Sequence, residues 1–398
     1  MARRQIARRR TVAVPQIAAS GSVRLVNTLA RDELGAVDDL CRQLPEAGGF
    51  TMLFCSTAYD LERLGPALDA AGRNAVGALT SRTIGPAGFR ADGLSGFHLP
   101  ASRFTVADML IEEASRFGLP DARDVVRTLR SRLTDAVAAG HRHQFGLLLV
   151  DAEARCEERL IAALGTELDG VPIAGGSAGD FLFNPRGEIE HSTRILHDGR
   201  ALRGAAVFCL VAGDSPVLAL NHTHYVPGKR KLVITDADPD KRLVREIDGR
   251  NAVEAYSAAL GLKTPARDIA ALATFPLMVR VGGQYFCRGA QRIYPNGALE
   301  FACAIEPGMV VTLAEPRNMV ARLADLFSEM HSQLGPMEVV IGFDCAARTV
   351  SMEQNGVESA IAALMKRQPV VGFATLGEQF NTIHANNSFT CLGIAAPS

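Results

Sequence analysis

Two histidines one residue apart, His222 and His224, form the most chemically loaded pair in the chain. They lie in Asn221-His222-Thr223-His224-Tyr225-Val226-Pro227, which reads as a strand, and a strand's period of two puts both imidazoles on one face. Such a pair cannot clamp a planar cofactor from opposite sides. One histidine can ligate while the other lines the pocket, or the two can chelate a divalent ion completed by one or two further groups. His384 and His98 are candidates for a third ligand or a distal residue. His224 is the first choice as metal ligand. The plainer reading of each is a strand histidine making ordinary hydrogen bonds. The nearby Lys229-Arg230-Lys231 run pairs with anionic groups of a cofactor or an acidic partner, or else blunts an exposed strand edge.

A second group of residues is built on glycine. Val371-Gly372-Phe373-Ala374-Thr375-Leu376-Gly377-Glu378 is an apolar run that breaks into a polar turn. Val171-Pro172-Ile173-Ala174-Gly175-Gly176-Ser177-Ala178-Gly179-Asp180 has the same layout, and Ala75-Val76-Gly77-Ala78-Leu79-Thr80 a fainter one. Turns at strand ends are where α/β sheets take ligands. Gly175, Gly176, Ser177, Asp180, Thr375 and Glu378 are therefore the pocket candidates. Backbone N–H groups of the Gly-Gly-Ser turn could cradle an anion, and Asp180 and Glu378 could anchor one pocket if the two turns face each other. Alternatively, the glycines serve turn geometry and the carboxylates cap local N–H groups. No Gly-Lys-Ser/Thr element, Gly-x-Ser-x-Gly elbow or His-Glu-x-x-His motif is present. Cys55 and Cys345 end predicted strands, without an identifiable base, so no catalytic residue is assigned.

The elements that position these residues alternate. Predicted helices cover 28–44, 61–71, 106–117, 121–139, 156–168, 251–260, 318–334 and 357–366, with apolar strands between them. Three stretches repeat one order of strand, helix, strand, turn and strand. Between the second and third, Gly282-Gly283 and Asn296-Gly297 mark hairpins in a largely antiparallel middle. The fold class is therefore α/β, of mixed α+β character, and a length of 398 residues exceeds one ordinary core. Residues 1–24 read as a disordered basic start, 25–217 as a first domain and 218–398 as a second. A net charge of −1 gives no general drive toward nucleic acid or anionic membrane, and no apolar run is long enough for a membrane span. Eight scattered cysteines without a C-x-x-C pair suit a reducing, cytoplasmic setting.

With these residues in place, the chain resembles the FIST family (F-box and intracellular signal transduction) over about residues 25–396. Gly175 to Asp180 and the strand 205–211 carry the resemblance to the N-terminal FIST domain. Val244 to Gly249, Ala252 to Tyr256 and Gly372-Phe373-x-Thr375-x-Gly377-Glu378 carry that to the C-terminal domain. The His222/His224 stretch and the tail Gly377-Glu378-Gln379-Phe380-Asn381-x-Ile383-His384 are similar to the nitric-oxide-sensing branch, NosP. Leu376 stands where that branch commonly has an aromatic, and Asn387 where it has glutamine.

The resemblance implies a sensory protein, not an enzyme, that binds haem b through a histidine, His224 first among the candidates. Lys229 and Arg230 would then pair with the haem propionates. Nitric oxide is the implied diatomic ligand, and a histidine kinase or a cyclic-di-GMP enzyme the implied partner. The wider family supports an alternative, a haem-free sensor in which the Gly-rich turns with Thr375 and Glu378 hold an amino acid or similar polar molecule. A zinc-dependent enzyme built on His222 and His224 is a third possibility.

Overall fold

The structure is a computed structural model and describes residues 21–44, 48–73, 75–183 and 189–397. Most of the basic start lies outside the described residues.

The alternation seen in the sequence becomes three copies of one unit. The first runs through strand Arg24–Thr28, helix Glu33–Gln43, strand Phe50–Ser56, helix Leu61–Ala70 and strand Ala75–Thr80. A hairpin, Thr83–Gly85 with Gly88–Arg90, and a return strand, Leu94–Leu99, complete it. The second unit repeats this with Phe104–Ile111, Leu119–Ala138, His143–Asp151, Glu157–Leu168 and Ile173–Ala178, then the hairpin Ile195–His197 with Arg200–Leu202, and the return strand Ala206–Gly213. The third begins with Val217–His222 and resumes after an insertion with helix Met319–Leu334 and strand Met337–Cys345. Helices Ala346–Gln354 and Glu358–Lys366 lead to Val370–Thr375, the hairpin Glu378–Phe380 with Ile383–Ala385, and the return strand Phe389–Ala395.

In every unit the second and third strands pair in parallel across a helical crossover. The return strand lies antiparallel to the second, and the first strand antiparallel to the return. Each six-stranded sheet is completed by a hairpin from another unit. The first unit's hairpin joins the third sheet, the second's joins the first, and the third's joins the second. The exchange is cyclic and covers an edge that would otherwise expose unpaired backbone groups. Apolar side chains from all three sheets fuse into one core. Phe373 stacks on Phe54 at 4.9 Å between ring centroids and meets Phe343 edge-on at 5.7 Å. The amphipathic helices cover the outer faces, so central strands such as Phe50–Ser56 are buried on both sides and read as continuous apolar runs.

The insertion is the antiparallel middle predicted above. Strands Tyr225–Asp238, Leu243–Ile247, Leu277–Val281, Gln284–Arg288, Ala290–Ile293, Leu299–Phe301 and Val310–Pro316 form one curved sheet around its own core. Gly282 and Gly283 both have positive φ and close the hairpin in which Val281 pairs with Gln284. All eight cysteines are unpaired. No helix among the described residues is long and apolar enough to cross a membrane.

Four local expectations are corrected. The helix expected at 106–117 is the strand Phe104–Ile111, held by an eight-residue antiparallel register with Ala206–Gly213, followed by one short turn of helix. The first helix begins at Glu33, where the Asp32 carboxylate accepts from Gly35 N, and the residues before it form the strand Arg24–Thr28. Helix Ala346–Gln354 was not expected, because its apolar positions are few. Gly175 to Ser177 is not a turn but the centre of strand Ile173–Ala178, paired with Leu148 to Val150 on one side and, at its glycines, with Glu378 and Gln379 on the other.

Candidate functional site

The C-terminal ends of the parallel strands of units two and three meet at a seam. Ser177 N donates to Gly377 O (2.9 Å), and Leu376 N donates back to Ser177 O (3.0 Å). The end of strand Ile173–Ala178 and the turn at Leu376-Gly377 thus face each other. The inserted sheet lies over this seam. Arg242 reaches down to Glu157 and Glu158, Ala304 N donates to Glu158 Oε1 (2.6 Å), and Cys287 bridges Asn386. Between sheet and seam runs a layer of buried polar side chains.

One pole of the layer surrounds Arg348. Asp344 is the penultimate residue of strand Met337–Cys345, and Arg348 stands in the first turn of helix Ala346–Gln354, so the i,i+4 spacing brings Arg348 Nε to Asp344 Oδ1 at 2.6 Å. Both are 1% exposed, and the single bond leaves Arg348 Nη2 and Asp344 Oδ2 without partners. Burial raises the Asp344 pKa even against its arginine. His222 ends its strand and His224 sits in the bend after it, yet the alternation persists. Thr223 between them turns the other way, donating to Asn387 O (2.8 Å). Burial, with Arg322 and Arg348, brings the His222 pKa down to about 4. Burial, with Arg348 and His222, brings that of His224 down to about 3. Both imidazoles are neutral at physiological pH, and His222 Nε2 and His224 Nδ1 have no partner.

The middle of the layer is Glu378. It accepts from Thr375 Oγ1 (2.5 Å), Ser388 Oγ (2.7 Å) and Ser388 N (3.3 Å), while Asn221 Nδ2 donates to Ser388 Oγ (2.8 Å). Complete burial pushes its pKa up to about 8 against these donors, and the Asp344 charge adds to the shift. Glu378 is therefore mostly a neutral acid at pH 7.

The other pole surrounds His384. Gln379 Nε2 bonds Ser177 Oγ (2.9 Å) and His384 Nδ1 (3.2 Å), and Ser177 Oγ donates to Glu157 Oε1 (3.2 Å). Arg242 closes on Glu157 and on Glu158 Oε2 (3.0 Å). Arg288 Nη1 donates to His384 O (3.1 Å).

Several residues singled out in the sequence therefore share this layer: His222, His224, Thr375, Glu378, Ser177 and His384. His384 lies at the opposite pole from the histidine pair, among Glu157, Glu158, Arg242 and Arg288. His98 belongs to the first unit, where its Nδ1 meets Thr51 Oγ1 at 3.0 Å. Gly175 and Gly176 pack rather than cradle. A Cβ on Gly175 would strike Leu148, and one on Gly176 would strike Thr375, Phe343 and Phe373. Asp180 opens strand Asp180–Phe183, as Glu378 opens its own hairpin. Lys229 and Arg230 are exposed in a bulged part of strand Tyr225–Asp238, with Arg230 Nη1 at 3.3 Å from Ala258 O. Among the described residues no group of three or more His, Cys, Asp or Glu is placed to hold a metal ion. A crevice of about 350 Å³ opens elsewhere, by Gly49, Phe50, Ala75 and Val76 at the starts of first-unit strands, and none of the chosen residues lines it.

Sequence reasoning missed Asp344, Arg348, Gln379, Arg242, Glu157 and Arg288. The Asp344/Arg348 spacing was a usable signal, but only for a reader who had placed the helix between them.

The seam also carries the decisive comparison. Residues 49–250 match the FIST N domain and residues 252–381 match the FIST C domain. The chain belongs to the FIST family. FIST domains are sensory signalling domains, and the two matches meet inside the inserted sheet, so this FIST protein builds its polar layer from both. No curated protein matches the chain.

Proposed function

We propose that this FIST protein senses a small polar molecule at the Arg348 pole. The observation that carries the reading is a set of four buried polar atoms without partners among the described residues: Arg348 Nη2, Asp344 Oδ2, His222 Nε2 and His224 Nδ1. Unsatisfied buried polar groups are costly, and a ligand that satisfies them recovers that cost on binding. The arginine–aspartate pair is close to charge-balanced, so it suits a zwitterion. A carboxylate would take the Arg348 N–H, an ammonium would face Asp344, and the neutral imidazoles would receive a polar side chain. A free amino acid has this chemistry. Binding beneath the inserted sheet would change how that sheet rests on the seam, giving a surface for a signalling partner to read. A histidine kinase or a cyclic-di-GMP enzyme is the partner class the family resemblance favours.

A second reading, haem b on His224 with nitric oxide as its ligand, has one observation in its favour. The two imidazoles are neutral and their nitrogens unpartnered, the state in which imidazole ligates iron. When bound, haem would supply an iron site for a diatomic gas. The surroundings fit it less well, since a buried ion pair stands beside the histidines and the two basic residues offered to the propionates are exposed.

One experiment separates the readings: thermal unfolding with each of the twenty amino acids, alongside a haemin titration followed by absorption, on wild type, Arg348→Met and His224→Ala. A saturable rise in Tm with an amino acid, lost in Arg348→Met, supports the first reading. A sharp Soret band that saturates at one haem per chain and disappears in His224→Ala replaces it with the second. No response to either class of ligand refutes both.

A further inference from the structure

Three arginines are buried among the described residues: Arg242, Arg288 and Arg348. Arg242 is paired with two carboxylates, Glu157 and Glu158, and Arg348 with Asp344. Arg288, 7% exposed, has no carboxylate partner among the described residues. Among the described residues its Nη1 donates to the carbonyls of Cys287 (3.0 Å) and His384 (3.1 Å), and its Nε has no acceptor. A buried guanidinium with N–H groups left unbonded is costly even where carboxylates lie nearby. Glu157 and Glu158 lie in the same region but are turned to Arg242.

The groups around Arg288 are unpartnered in a matching way. Ser177 Oγ gives its proton to Glu157, so it accepts from Gln379 Nε2, which fixes the orientation of that amide. The same nitrogen then faces His384 Nδ1, which must accept. The proton of neutral His384 therefore sits on Nε2, and that atom has no partner. Asn386 Nδ2 is a second donor without an acceptor. Both converge over Gly377, at 2.7 and 3.1 Å from where its Cβ would stand. Asn387 Oδ1 is an acceptor without a donor, held over Gly289. All these side chains are more than nine-tenths buried.

We propose that Arg288, His384 and Asn386 form a second binding site, for a small carboxylate that carries a neighbouring hydroxyl. Three donors, one of them a guanidinium, take the carboxylate, and Asn387 Oδ1 takes the hydroxyl proton. The ligand is a carboxylate because the unpartnered groups that face it are N–H donors, one of them on a guanidinium to which no carboxylate is bonded. The site is independent of the Arg348 pole, since Thr223 faces Asn387 and Cys287 while His222 and His224 face Arg348.

The test uses the full chain, with glycolate and acetate as probes and sodium chloride at equal ionic strength as control. Glycolate is expected to raise Tm saturably, and acetate to bind about tenfold more weakly for want of one hydrogen bond, a difference of about 1.4 kcal/mol. Arg288→Met abolishes the response, whereas Arg348→Met leaves it unchanged. Asn386→Asp sets a carboxylate beside His384 Nε2. It should raise Tm without ligand and remove the glycolate response, so the test stands even if Arg288→Met does not fold. The proposal is overturned if neither probe gives a saturable shift, leaving ordered water as the partner of these atoms. It is equally overturned if the shift survives both Arg288→Met and Asn386→Asp, or is lost in Arg348→Met instead.

Discussion

Replacing Glu378 with glutamine should flatten the dependence of stability on pH. The folded chain holds this carboxyl at a pKa of about 8, against an ordinary value of 4.5, because burial disfavours its charged form. Between those values the unfolded chain has released the proton and the folded chain has kept it. The folded state then binds more protons, so stability falls as pH rises, by about 1.4 kcal/mol per pH unit. The contribution is whole below pH 4.5 and gone once pH passes about 8. From pH 5 to 7.5 the loss is about 3 kcal/mol. Glutamine has nearly the shape of the protonated acid. Its oxygen can accept from Ser388 N and Ser388 Oγ, its amide can donate to Thr375 Oγ1, and it does not ionise. Urea midpoints and m-values for wild type and Glu378→Gln, taken at half-unit steps across this range, give the comparison. The variant's advantage should grow by about 3 kcal/mol from pH 5 to 7.5. Parallel curves would refute the reasoning, because they would mean that Glu378 is ionised in the fold throughout.

Two further substitutions probe the supports of the layer. Gly377→Ala places a methyl 2.7 Å from His384 Nε2 on a backbone with φ of +157°, so it should lower the urea midpoint by the equivalent of about 1–3 kcal/mol. Adding His384→Ala should recover part of that loss, and no recovery would show that the clash is not with the imidazole. Arg242→Met leaves Glu157, 1% exposed, buried with Ser177 as its one remaining side-chain partner among the described residues, and should cost about 3–5 kcal/mol. A second change, Glu157→Gln, should restore much of it, and an Arg242→Met protein as stable as wild type would count against a buried ion triad.

The three-unit order was legible because each unit buries its strands on both faces and its helices on one. These two patterns leave apolar runs and amphipathic stretches that survive large divergence between units. The hairpin exchange was not legible. Thr83–Gly85 and Ile383–Ala385 are too short to carry a pattern, and nothing local says which of three similar sheets a hairpin will join. Phe104–Ile111 was misread for a related reason. Its exposure does not alternate cleanly, and only its register with Ala206–Gly213 makes it a strand. The Gly-Gly-Ser motif pointed to the right place with the wrong geometry. Glycine serves there because the neighbouring strand and the opposite turn come too close for a Cβ, not because the chain reverses.

The exchange also explains why the polar layer was only half visible. Ser177, Gln379 and His384 share one hydrogen-bonded cluster because the third unit's hairpin completes the second unit's sheet. Arg242 and Arg288 arrive from the inserted sheet, some sixty residues or more beyond Ser177 in the chain. Residues that meet through two such long-range connections carry no spacing signal, whereas His222/His224 and Thr375/Glu378, each formed within one short segment, do. The part of a seam site that a sequence reveals is therefore the part contributed by a single strand end. Its charge-bearing remainder, here Glu157 and Glu158 with Arg242 and Arg288, comes from wherever the topology brings the other walls.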